Sequence, residues 1–146
     1  IKKIFASEYY YNNDNIAVFP KIVVTDTTKT QYLFRINKGK ENLSDSINEH
    51  MAEIKRPIPF DNMIYIGDGL TDVPSMALIK KEGGHSIAVY QNNKTQIKIS
   101  EGLLKANRVD FIAPADFSER SKLYKNMQYL LDYVIAKTKY RLKLKS

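Results

Sequence analysis

The sequence predicts an α/β fold built around a mostly parallel sheet. From residue 63 onward, strand-like and helix-like segments alternate three times, which is the pattern of a parallel sheet covered by helices. The first of these strands, MIYIG at residues 63–67, is apolar almost throughout, as expected of a strand with helices on both faces. With 146 residues, 43% of them hydrophobic, the chain is expected to form a single domain over residues 1–146.

The alternating half is expected to hold three strands and three helices. The strands are predicted at residues 63–67, 85–91 and 109–116. A helix that begins near Asp72 should end at Gly83 and Gly84, because glycine readily takes the conformation that stops a helix. Two further helices are predicted at residues 95–107 and 118–139, where apolar residues recur at helical spacing.

The segment before residue 60 is expected to add β-structure and one helix. Residues 1–9 are predicted to form a short strand, and NNDN at residues 12–15 has the composition of a turn. Two β-rich runs flank the segment TDTTK and predict a β-hairpin near residues 16–37. Apolar residues at helical spacing predict a helix at residues 42–54.

The composition excludes several classes of protein. The chain has no cysteine, so it can hold neither a disulfide framework nor a thiolate zinc site. It has no apolar run of the roughly 20 residues that a membrane span needs, and it does not open on a signal-peptide pattern. We therefore expect a cytoplasmic protein without a membrane partner. The first residue, Ile1, is followed almost at once by an apolar stretch, which suggests a start inside a longer gene product.

The net charge of +7 has two interpretations. The excess is greatest in KTKYRLKLKS at residues 137–146, which would suit a nucleic acid or another anionic surface. Lysines also suit the negative end of a helix dipole, and a solvated helix end is the interpretation we favour. A basic nucleic-acid-binding module is therefore the least favoured function, since the lysines are spread along the chain.

The segment GDGLTD at residues 67–72 places two carboxylates where a parallel strand ends. Ligands of open parallel sheets bind beyond the carboxyl ends of the strands, and Asp68 follows MIYIG directly. Asp72 lies at the start of the next helix, and Gly67 and Gly69 would allow a sharp turn. Two converging carboxylates suit a hard cation such as Mg²⁺. The alternative stays open that Asp72 is only a helix N-cap and Asp68 only a turn residue.

The sequence IYIGDGLTDVPSMALIKKEGGHSIAVY resembles the fourth motif of the haloacid dehalogenase-like (HAD) hydrolases, and the phosphoserine-phosphatase-like branch is the most similar. The resemblance implies a Rossmann-like three-layer core of which this chain is the C-terminal portion. It also implies that Asp68 is a ligand of Mg²⁺ and that Asp72 is a second ligand or a catalytic orienting group.

The resemblance further implies a lysine upstream of this strand that neutralises charge at the phosphoryl group. In FRINKGKEN, Lys38 is the candidate, because it follows a β-rich run and precedes a predicted helix, whose N-terminus would also favour an anion. Lys29 and Lys40 are competing candidates.

The nucleophile motif of these hydrolases, DxDx(T/V), does not occur in the sequence. Asp26 and Thr30 in VVTDTTKT resemble a variant of it only faintly, and the hairpin interpretation accounts for them. The resemblance therefore implies an incomplete sheet that lacks the strands of the first and second motifs. The strand at residues 63–67 would then have an open edge. We expect a homodimer or a missing N-terminal segment to pair with it.

These observations predict a function for the full-length parent: Mg²⁺-dependent hydrolysis of phosphate monoesters, with a small phosphorylated metabolite as substrate. The chain alone should be inactive, because the nucleophile is absent from it. A non-catalytic α/β fragment or remnant is the alternative.

Overall fold

The computed structural model describes residues 1–144 and divides the chain into two compact units, Ile1–Pro57 and Ile58–Ser146. The first unit contains a two-stranded antiparallel sheet, and the second contains a three-stranded parallel sheet. The mixed α/β class that the sequence predicted is therefore confirmed. In residues 1–144, none of the helices combines the length and the hydropathy that a membrane crossing requires.

The antiparallel sheet of the first unit is a hairpin of β1 (Glu8–Tyr11) and β2 (Ala17–Ile22). The NNDN segment forms the turn between them, as its composition indicated. The side-chain oxygen of Asn12 accepts the backbone N–H groups of Asp14 and Ile16 at 3.0 and 2.9 Å. The hairpin predicted near residues 16–37 is therefore wrong, because the strands that pair are residues 8–11 and 17–22.

Residues predicted as the second strand of that hairpin form a helix, α1 (Lys29–Lys38). The hydroxyl-rich segment before it starts the helix: the carbonyl of Thr25 accepts the N–H groups of Thr28 and Lys29, and the Thr28 hydroxyl accepts the Thr25 N–H. Gly39, at a φ of 65°, ends the helix in the left-handed conformation. These start and stop signals override the β propensity of the aromatic run between them.

The helix predicted at residues 42–54 is also absent; the segment forms turns and one 3₁₀ turn, Glu53–Lys55. Side chains of α1 take the carbonyls that such a helix would use. Arg35, 4% exposed, donates to the carbonyls of Asn42 and Leu43 at 2.6 and 2.7 Å. Lys38 donates to the carbonyls of residues 47 and 49.

The parallel sheet of the second unit has the order β3 (Ile64–Gly67), β4 (His85–Tyr90), β5 (Phe111–Pro114). Each strand is followed by a helix: α2 (Val73–Lys81), α3 (Lys94–Lys105) and α4 (Lys122–Lys143). All six elements lie where the sequence predicted them, with ends that differ by a few residues.

Helices cover both faces of this sheet. Ile87 and Val89 of β4 belong to a buried cluster that also contains Leu123 and Leu130 of α4. Ala88, between them in sequence, faces the other way and packs with Met76 of α2 and Leu103 of α3. The second unit therefore has α4 on one side of the sheet and the α2–α3 pair on the other.

Strand β3 lies at one edge of this sheet, and β4 lies in the middle. The difference shows in their burial: residues 86–89 of β4 are buried, whereas the first three residues of β3 are only half-buried. The carboxyl ends of all three strands point the same way, because both pairings are parallel. The turn after β3 therefore lies at the carboxyl ends of the strands, where ligands of open parallel sheets bind.

Candidate functional site

The turn after β3 brings the two predicted carboxylate residues together. The strand ends at Gly67, and a 3₁₀ turn, Leu70–Asp72, leads directly into α2. The Oδ2 atom of Asp72 accepts the backbone N–H of Asp68 at 3.1 Å. This bond closes the turn, because it joins its first residue to its last.

Asp72 is buried, with 5% of its surface exposed. Its Oδ1 atom accepts the hydroxyl of Tyr65 at 2.6 Å. Asp72 occupies the N-cap position of α2, but its side chain makes no capping hydrogen bond to that helix. The interpretation of this side chain as an ordinary N-cap is therefore wrong, since the carboxylate turns back toward the strand.

Position 67 needs glycine because a larger residue would collide with Asp72, and not because of its backbone conformation. A Cβ atom there would lie 2.6 Å from the Cβ and Cγ atoms of Asp72, which is closer than real Cβ contacts. Gly69 is extended, at a φ of −156°, and its nearest neighbour would be Thr71 at 4.0 Å. The buried carboxylate of Asp72 therefore occupies the volume that a side chain at position 67 would fill.

Asp68 differs from Asp72 in its exposure. It is exposed to solvent, and among the ion pairs of residues 1–144 its carboxylate takes part in none. An accessible carboxylate is the type of group that a hard divalent cation binds. The two aspartates therefore have different environments, although the sequence presents them as a pair.

Tyr65 completes this arrangement, and the sequence reasoning did not identify it. Burial raises the pKa of the Tyr65 hydroxyl, and the hydrogen bond to Asp72 raises it further. The hydroxyl therefore stays protonated and remains a donor. A signal was present in the sequence: a tyrosine within a strand covered by helices needs a partner for its hydroxyl, and Asp68 and Asp72 are the acidic residues of the turn that follows.

Asp68 and Asp72 suit different roles at a cation site. Both oxygens of Asp72 already accept hydrogen bonds, so this residue suits the role of an orienting group. The exposed carboxylate of Asp68 suits the role of a direct ligand. Within residues 1–144, no cluster of three or more histidine, aspartate or glutamate side chains could hold a metal ion. Further ligands would have to be water, substrate or groups outside these residues.

The predicted lysine, Lys38, belongs to the first unit. It is the last residue of α1, and its ammonium group donates to the carbonyl of Glu49 at 2.7 Å and to that of Ile47. The expectation that Lys38 precedes a helix is wrong. Lys29, one of its competitors, is the first residue of α1 and lies 3.5 Å from the carboxylate of Asp26.

One relative of this chain is an uncharacterized protein of Borreliella burgdorferi. The two are 38% identical over 104 residues, which cover 69% of this chain and 34% of the relative. The chain thus spans about a third of the length of the protein that it matches. No model of a known protein family matches the chain. No solved structure matches it either.

Proposed function

We propose that this chain is the C-terminal part of a HAD-like hydrolase that hydrolyses phosphate monoesters with the help of Mg²⁺. The observation that supports this most is the turn after β3, where an exposed aspartate is held by a buried one. The turn lies at the carboxyl end of a parallel strand, where such folds bind ligands. The layered arrangement around β3, β4 and β5 is compatible with a Rossmann-like three-layer core of the phosphoserine-phosphatase-like type.

In this proposal Asp68 is the metal ligand, and Asp72 orients it. When bound, Mg²⁺ would neutralise the phosphate oxygens and act as a Lewis acid. The contribution of the chain itself is to hold the Asp68 backbone through the Asp68 N–H···Asp72 hydrogen bond. The substrate would be a small phosphorylated metabolite, and the location would be the cytoplasm.

A lysine would complete the neutralisation of the phosphoryl group. Lys38 is the residue that the resemblance first indicated, but its ammonium group already donates to two backbone carbonyls. Lys29, the first residue of α1, lies at a helix N-terminus that favours an anion, but its ammonium group is also engaged, 3.5 Å from the carboxylate of Asp26, so Lys38 stays the candidate. In the longer protein, Lys38→Ala should lower the phosphatase rate much more than Lys29→Ala, and the reverse order would make Lys29 the residue.

The cation site can be tested on this chain. Mg²⁺ or Ca²⁺ at about ten times its dissociation constant should stabilise the fold by about 1.4 kcal/mol, measured as a rise in melting temperature. Asp68→Asn should abolish that rise. The control is Asp132→Asn, which removes another exposed carboxylate, on α4. An equal rise in the wild type and in Asp68→Asn would reject Asp68 as the ligand.

The reaction can be tested with an aryl phosphate. This chain should give only background hydrolysis, because it lacks the DxDx(T/V) motif, whereas a longer polypeptide that carries such a motif should be active. Turnover by this chain that disappears in Asp26→Asn would instead make Asp26 the nucleophile.

A non-catalytic α/β fragment is the second candidate. The observation that favours it is the lack of a three-ligand cluster within residues 1–144. A nucleic-acid-binding module has less support, because two basic residues of the C-terminal segment are already engaged: Lys137 and Arg141 both pair with Asp61. If the pure chain bound duplex DNA at physiological salt, the nucleic-acid-binding module would become the better supported of these two candidates.

We also propose that a strand from outside this chain pairs with the free edge of β3. The edge strand is only half-buried, and within residues 1–144 no strand pairs with its outer side, where backbone groups would accept a further strand. A symmetric dimer or a segment of a longer polypeptide could supply that strand. Light scattering after size-exclusion chromatography should show a dimer or larger species, and a monomer that melts cooperatively would contradict the proposal.

A further inference from the structure

We infer that Tyr65 is a positioning residue of the cation site: its hydroxyl fixes the carboxylate of Asp72, which in turn holds the backbone of Asp68. This inference rests on the cation site of the proposed function and extends it by one residue that does not itself touch the cation.

The hydrogen bonds form a continuous path from the strand to the exposed aspartate. The Tyr65 hydroxyl donates to Oδ1 of Asp72 at 2.6 Å. The other oxygen of the same carboxylate, Oδ2, accepts the Asp68 N–H at 3.1 Å. Since each oxygen has its own donor, the carboxylate plane is fixed against rotation about its Cβ–Cγ bond. The direction in which Asp68 leaves the strand is fixed with it.

Strand geometry explains why Tyr65 and Gly67 both contact the side chain of Asp72. Alternate residues of a strand point to the same face, so both face Asp72. Gly67 leaves the space in which the carboxylate lies, at 2.6 Å from a Cβ that glycine lacks. Tyr65 supplies the donor that the carboxylate needs in this buried position. Gly67 thus sets the position of the Asp72 carboxylate, and Tyr65 sets its orientation.

The ring of Tyr65 is itself held in place. It packs against the buried cluster of Met76, Ala88, Leu103 and Val109 between the sheet and the α2–α3 pair. A hydroxyl on a ring fixed by packing is a better-defined donor than water or a flexible side chain. This is the arrangement expected of the groups behind a metal ligand, whose loss commonly weakens metal affinity by about 10- to 100-fold.

A purely structural tyrosine would contribute the same hydrogen bond without affecting the cation. The two roles differ in measurable ways. Tyr65→Phe keeps the packed ring and removes only the hydroxyl. If Tyr65 positions Asp68 through Asp72, this variant should weaken Mg²⁺ or Ca²⁺ binding by about 10-fold, while its melt in the absence of the cation stays cooperative. Tyr129→Phe is the matched control, because Tyr129 is 67% exposed on α4.

A double-mutant comparison tests whether Tyr65 acts through Asp72. Asp72→Asn should weaken cation binding by itself. Adding Tyr65→Phe to Asp72→Asn should then change the affinity by less than about 2-fold, because the two residues belong to one path. Full additivity of the two effects would overturn the inference.

Amide hydrogen exchange gives a readout that needs no cation. The Asp68 N–H is bonded to Asp72, so in Tyr65→Phe it should exchange several times faster, and in Tyr129→Phe it should not change. An unchanged Asp68 amide in Tyr65→Phe would overturn the positioning role.

The outcomes separate the two proposals. If Tyr65→Phe binds the cation as the wild type does, and Asp68→Asn does not bind it, the cation site stands and the role of Tyr65 falls. If the wild type itself shows no cation-dependent stabilisation, the proposed cation site falls, and the positioning role falls with it.

Discussion

The two ends of the parallel sheet use aspartate in different ways. At the amino end, Asp110 accepts Lys80 at 2.6 Å, and Asp61 pairs with Arg141 and with Lys137. At the carboxyl end, Asp68 is exposed, and Asp72 is bonded to a tyrosine hydroxyl and a backbone amide. These four aspartates all lie near strands in the sequence, and only their partners distinguish them.

Their partners separate the carboxylates that stabilise the fold from the one that is accessible to a ligand. The amino-end pairs connect separate elements: Lys80 lies in the last turn of α2, Asp110 precedes β5, and Lys137 and Arg141 lie on α4. They therefore attach helices to the sheet. Among residues 1–144 Asp68 makes no such connection, and it is exposed to solvent.

The largest effect is expected from removing an amino-end carboxylate. In Asp110→Ala, the buried N–H of Ser86 loses its acceptor at 2.8 Å, and Lys80 loses its partner. We expect a loss of about 2–4 kcal/mol in the free energy of unfolding, measured by urea denaturation. Asp68→Ala without a cation should change it by less than about 0.5 kcal/mol. Equal losses in both variants would remove the distinction between the two ends.

A smaller effect is expected from filling the space beside Asp72. In Gly67→Ala the new Cβ would lie 2.6 Å from Asp72, so the carboxylate must shift, at a cost of about 1–3 kcal/mol. The shift should also weaken cation binding. Gly69→Ala is the matched control two residues away, since its Cβ has no neighbour closer than 4.0 Å. A wild-type melting temperature in Gly67→Ala would show that the close contact is not maintained in solution.

The smallest effect concerns pH. Burial lowers the pKa of His85, which starts β4; Asp110 opposes this shift, and Lys137 and Lys80 add to it. The unfolded chain therefore binds this proton at a higher pH than the folded chain does. Stability should fall as pH decreases from about 6.5 toward the lower pKa of the folded state.

His85→Gln should remove this slope in the melting temperature. Asp61 affects stability in a different pH range. The hydrogen bond from Arg141 lowers the pKa of the Asp61 carboxyl, so the stability that this pair contributes is lost only at more acidic pH. The same slope above pH 5 in the variant would mean that another group causes it.

The second unit was predicted from the sequence because its signals are local. Its six elements follow from periodicity, from the apolar run at residues 63–67 and from the glycines after α2. The first unit was predicted poorly for a physical reason. Its backbone depends on side chains that are distant in sequence: Arg35 and Lys38 bind carbonyls seven to eleven residues away. A local pattern carries no sign of such bonds.

Composition and residue spacing were enough to establish the parallel half of the fold, the lack of cysteine and of a DxDx(T/V) motif, and the position of Asp68 at the end of a strand. The exposure of Asp68, the burial of Asp72 and the contacts of Asp72 with Tyr65 and Gly67 could be seen only in the folded chain. The reason is that spacing places residues near each other along the chain, whereas exposure and hydrogen-bond partners depend on what packs around them. That packing involves a strand, a turn and two helices at once.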